Sequence, residues 1–133
     1  MVRLKFTSRT LIAALIAAAA AFPPAPARAE SIANPIAVFN GLDKITARIT
    51  RFEVPIGRTA LFGTLEVTPR VCHTKPPTEP PQTTAFVEVN ERRHEGEPRR
   101  IFTGWMFADS PGLSGVEHPV YDVWLTGCNT ASG

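Results

Sequence analysis

Cysteine is scarce in this chain, two among 133 residues, and no C-x-x-C pair occurs, so dithiol redox catalysis lacks its motif. The three histidines, His73, His94 and His118, are scattered, without an H-x-x-x-H box. A metal site would need long-range convergence of two of them, or of one with Met106. A nucleophile elbow, a Gly-x-Gly-x-x-Gly loop and a Walker sequence are all missing, which leaves hydrolase and phosphoryl-transfer chemistry without local support. Beyond residue 29 there is no apolar run long enough to span a bilayer. No cofactor is expected.

Neither is there a basic surplus. The formal charge is +2, but four of the fourteen basic residues (Arg3, Lys5, Arg9, Arg28) lie in the first 29 positions while all twelve acids follow them. The remainder carries ten basic and twelve acidic residues, a balance that argues against nucleic acid. Arg92, Arg93, Arg99 and Arg100 cluster, but Glu91, Glu95 and Glu97 are interleaved, as at a solvated hairpin tip rather than an anion site.

What is present begins with an export signal. A positive start (Arg3, Lys5, Arg9), an apolar stretch from Leu11 to Phe22 and the A-x-A site Ala27-Arg28-Ala29 predict cleavage before Glu30 and a periplasmic address. A retained anchor is the alternative reading. No cysteine sits at the cleavage point, so a lipoprotein is not expected. Residues 30–133 have the length of one ordinary domain with one core. In an oxidising compartment Cys72 and Cys128 read as one disulfide. It closes a loop of about 57 residues, for roughly 4 kcal/mol in the chain-entropy model.

Ten prolines and nine glycines after residue 29 break long helices, and apolar positions recur with a period near two. Strands are predicted over 44–54, 59–68, 84–90, 101–107 and 120–125. Pro69 is expected to end the second, and a charged turn at Gly96 and Pro98 to join the third and fourth as a hairpin. The fourth is apolar on both faces and so is expected to be central or covered. Ser31 to Gly41 offers a helical turn or two at most. Ser110-Pro111-Gly112-Leu113 fits a type II turn.

In a plain meander the second and fifth strands would end at opposite poles, out of reach of a disulfide. The proline-rich segment 72–82 is therefore predicted to cross from pole to pole. The fold expected is all-β: a small five- to six-stranded β-sandwich or partly open barrel with that crossover and one disulfide. Its extent is 42–128, after a lead-in at 30–41 and before a frayed end at 129–133.

His118 stands beside Glu117 and close to Asp122, a pairing capable of acid–base work or of a structural hydrogen bond to the loop. Trp105 and Trp124, with Tyr121, Phe102 and Met106, would form either core packing or an aromatic groove. The rigid loops 76–81 and 110–119 are the expected points of partner contact.

The segments Gly41-Leu42-Asp43-Lys44-Ile45-Thr46, Phe62-Gly63-Thr64-Leu65, Arg70-Val71-Cys72, Pro76-Pro77-Thr78-Glu79-Pro80, Gly104-Trp105-Met106-Phe107-Ala108 and Glu117-His118-Pro119-Val120-Tyr121-Asp122-Val123-Trp124 together resemble the DUF2155 family of uncharacterised exported alphaproteobacterial proteins. The resemblance covers about residues 41–128 and departs at Ala47, where the family has glycine after Lys-Ile-Thr. It implies the address and the domain extent, and carries no catalytic role. The expected function is a non-enzymatic periplasmic module that binds an envelope protein or cell-wall component through Trp105, Glu117, His118, Tyr121, Asp122 and Trp124. A small envelope enzyme using His118 with Glu117 or Asp122 is the alternative.

Overall fold

The structure, a computed structural model, describes residues 22–23 and 30–131. Apart from Phe22 and Pro23, the export segment assigned to residues 1–29 lies outside the described residues. Nine strands and one short helix follow: β1 (Ile32–Ala33), β2 (Ile36–Asp43), β3 (Arg48–Pro55), β4 (Ala60–Phe62), β5 (Leu65–Thr74), β6 (Thr83–Glu91), β7 (Arg99–Phe107), α1 (Pro111–Ser114), β8 (Val116–Glu117) and β9 (Tyr121–Asn129). They form two open antiparallel sheets, one ordered β1-β5-β6-β7 with β4 also on β5, the other β3-β2-β9-β8. The domain is thus an all-β sandwich that does not close into a barrel. Among the described residues no helix is long and apolar enough to cross a membrane.

Between the sheets lies a core built by strand alternation. Leu65, Val67 and Cys72 of β5, Ala85, Val87 and Val89 of β6 and Met106 of β7 face Phe39 of β2, Val54 of β3 and Val123 and Leu125 of β9. The Cys72–Cys128 disulfide ties the sheets together, β5 to β9, with its Cα atoms 5.9 Å apart.

The lead-in at 30–41 is not helical. Pro35 separates β1 from β2, whose run Ile36-Ala37-Val38-Phe39 is buried on both faces and whose edges pair with β3 and β9. The strand expected at 44–54 starts only at Arg48. Asp43 Oδ1 accepts the N–H groups of Ile45 (2.9 Å) and Thr46 (3.2 Å), an Asx turn that reverses the chain and leaves Ile45 77% and Ile49 59% exposed. The strand expected at 59–68 is two strands folded at Gly63-Thr64, with Phe62 opposite Leu65 and Gly63 at a φ of 60°. Pro69 does not end β5, because a bulge between Pro69 and Val71 absorbs the missing donor.

The proline-rich crossover is also corrected. Thr74 pairs with Thr83, so residues 75–82 close a hairpin between adjacent strands. Both cysteines lie within strands, not beyond their ends, and strands of opposing sheets bring them together without a crossover. The 110–113 turn opens α1 instead of forming a type II turn: Leu113 N–H reaches Ser110 O at 3.0 Å, and Gly112 lacks the positive φ that type II requires. β7, expected to be central or covered, is an edge strand whose Trp105 and Phe107 side chains are exposed. Asn129, placed in the frayed end, is the last residue of β9 and pairs with Ile36, while residues 132–133 lie outside the described residues.

Candidate functional site

α1, β8 and the first half of β9 enclose an open groove of about 460 Å³ on the outer side of the second sheet. Val123 and Leu125 point into the core, so Asp122 and Trp124 must point out, into the groove. Glu117 stands opposite Asp122, and Val116 opposite buried Val123, by the β8–β9 register. The far rim is Pro111, Gly112 and Leu113, the last 89% exposed.

Gly115 lets α1 settle against β9. Its N–H bonds Pro111 O at 3.0 Å, and an added Cβ would meet that oxygen at 3.0 Å, Val123 O at 3.3 Å and Trp124 Cβ at 3.5 Å. A side chain here would push the rim off the tryptophan. Pro111 at the start of α1 fixes φ where its missing donor is not needed.

The carboxylates differ in their freedom. Asp122 Oδ1 is buried, and the Lys44 ammonium meets it at 2.8 Å as an ion pair without hydrogen-bond geometry. Lys44 Nζ also donates to His118 O at 2.9 Å, so the lysine clamps the 118–122 turn. Glu117 is exposed and has no ion pair among the described residues. It is the groove's available negative charge.

His118 and Tyr121 sit beside the groove rather than in it. The His118 ring stacks on Tyr121 at 5.5 Å, and Tyr121 meets Phe62 edge-on at 5.4 Å. Phe62 stacks on Phe52 at 5.7 Å and Phe52 on Phe39 at 5.5 Å, which carries the row into the core. The partner of His118 is neither Glu117 nor Asp122. Its Nε2 meets Glu91 of β6, and its Nδ1 accepts the Val120 N–H at 3.0 Å. An Nδ1 that accepts cannot carry the proton, so Nε2–H donates to the carboxylate and both ring nitrogens are occupied. That hydrogen bond, more than the nearby Arg99 guanidinium, holds the Glu91 carboxyl below its ordinary value against the opposing effect of burial.

Trp105 stands apart from the other five. It lies on the outer face of the first sheet, 46% exposed, edge-on to Phe86 at 5.4 Å and 6.4 Å from the His73 ring. The expected residues therefore divide: Glu117, Asp122 and Trp124 share the groove, His118 and Tyr121 brace its turn, and Trp105 belongs to another surface. Met106 is buried in the core, and no group of three metal-ligating side chains converges among the described residues. Leu113 and Gly115 fall within the loop 110–119 expected to contact a partner, whereas Lys44 and Glu91 were not expected at this site. Glu91 and Lys44 lie 27 and 74 residues from His118, so only the strand registers could have found them.

Residues 37–128 match the sequence model of the family described as "Uncharacterized protein conserved in bacteria (DUF2155)", and the chain belongs to that family. It is 26% identical over 87 residues to "Uncharacterized protein RP359" of Rickettsia prowazekii (strain Madrid E), a match that covers 65% of this chain. The chain spans only 56% of the length of that relative. No solved structure matches it.

Proposed function

We propose that this member of the DUF2155 family is an exported, non-enzymatic β domain of the periplasm that binds an envelope protein or cell-wall component in the groove between α1 and β9. The observation that carries this reading is the pairing of Trp124 with an unpaired carboxylate, Glu117, under a rigid proline-led rim. A half-buried indole offers large contact area at low entropy cost, and the free carboxylate fixes orientation. The occupied ring nitrogens of His118 support a role without turnover, since a general acid–base needs a nitrogen open to substrate. Its bond to Glu91 and the Lys44 clamp on its carbonyl are what hold the groove's floor in shape.

Mature protein recovered from the periplasm should begin at Glu30 by N-terminal sequencing. A photo-crosslinker at Leu113 in intact cells should capture one envelope component, and Trp124→Ala or Glu117→Ala should reduce that capture at least about tenfold while leaving the melting temperature within a few degrees. Capture unchanged in both variants sinks the reading.

A further inference from the structure

Three of the four sheet edges are blunted. β5 is covered by the short strands β1 and β4, β8 has two residues, and β3 carries Arg48, Arg51, Glu53 and Pro55. β7 has none of these devices over its middle: Phe102 to Met106 contains no charge, no proline and no bulge, the strand's one bulge lying before it at Ile101. Its outward backbone groups can be identified. Ala108 N–H bonds Thr83 O at 3.0 Å toward β6, and Phe107 N–H bonds Ser114 Oγ at 2.9 Å away from it. By strand alternation, Trp105 and Thr103 also turn their N–H and C=O groups away from β6. Ser114 of α1 closes the edge at Phe107, so the open length is short.

Side chains continue the same message. Val71 of β5, Phe86 of β6 and Trp105 of β7 stand in register as one apolar row on the outer face, and the row stops at the edge. At the other end, Glu88 receives both Arg70 (3.0 Å) and Arg100 (3.5 Å), which leaves one cation in excess beside the start of β7.

We propose that the β7 edge accepts a short extended segment of a partner protein as an added antiparallel strand. It would pair with Thr103 and Trp105, lay an apolar side chain against Trp105 and bring a carboxylate near its C-terminal end to Arg100. This surface is on the sheet opposite the groove and needs no occupant there. A second copy of the chain is the poorer occupant: an antiparallel β7 partner would drive its own hairpin tip into α1.

The probe is the peptide acetyl-Val-Thr-Val-Thr-Asp-amide, whose two valines and aspartate share the face of Trp105 and Arg100, added at millimolar concentration to the full mature protein with its disulfide intact. Amide exchange at Thr103 and Trp105 should slow at least about fivefold, and affinity should fall about tenfold when lysine replaces the aspartate. Thr103→Pro removes an outward donor without touching the β6 ladder and should abolish protection. Arg100→Glu should invert the preference to the lysine peptide, a readout that survives if the proline variant folds poorly. Protection elsewhere, protection indifferent to both variants, or a concentration-dependent dimer lost in Thr103→Pro would overturn the assignment.

Discussion

His118 and Glu91 come from strands of different sheets or their flanking turn, 27 residues apart, and meet as an imidazole N–H and a carboxylate at the margin of the sandwich. Because Val120 N–H occupies the other ring nitrogen, the neutral ring carries its proton on Nε2, facing Glu91. Nitrogen NMR should show the Nε2–H tautomer wherever the ring is neutral.

Glu91 also sets an acid dependence. Its folded pKa lies below the ordinary value of 4.5, as does that of Glu88, lowered chiefly by the Arg70 hydrogen bond. A depressed carboxylate contributes stability above its unfolded value and loses it as pH falls through the folded one. Glu91→Gln should therefore lower the melting temperature near neutral pH, and the gap to the parent protein should close below about pH 4. A gap that widens in acid would refute the assignment.

The disulfide joins the two sheets through the buried Cys72. Replacing both cysteines with alanine should reduce stability by about 4 kcal/mol, read from urea unfolding with the slope checked for changes in the denatured state. A loss under about 1 kcal/mol would mean that packing alone fixes the sheets.

Ala47 sits in the turn between β2 and β3 at a φ of 59°, in the left-handed region. Glycine there relieves side-chain strain and adds freedom to the unfolded chain, and the first effect is larger. Ala47→Gly should raise stability by about 0.5 to 1 kcal/mol.

Gly63, in the β4–β5 turn at a φ of 60°, presents the opposite case: an added Cβ would fall within the Tyr121 ring. Gly63→Ala should cost about 2 kcal/mol or more and loosen the stack of Tyr121 on His118. Weakened capture at the groove would accompany it, measurable with the crosslinker at Leu113.

Period-two alternation made β6, β7 and the first half of β9 legible, along with the inward set Ala85, Val87, Val89 and Val123, Leu125. It misled wherever a local bond outranked it. The Asx turn at Asp43 cut Ile45 and Ile49 from their strand, and the turn at Gly63-Thr64 folded one apparent strand into two. Ile36 to Phe39 lacked alternation because β2 is covered on both sides, so periodicity could not separate it from a helical turn. Glu117, Asp122 and Trp124 could be grouped from their closeness in the chain. Trp105 could not be separated from Trp124, since only topology puts them on different sheets.

One turn of helix touches both outer surfaces. Ser114 holds the last donor of β7, and the preceding three residues shape the mouth over Trp124. A guest that shifts this turn from either side must alter affinity at the other by the same factor, so a load on one sheet would be sensed by its neighbour through four residues.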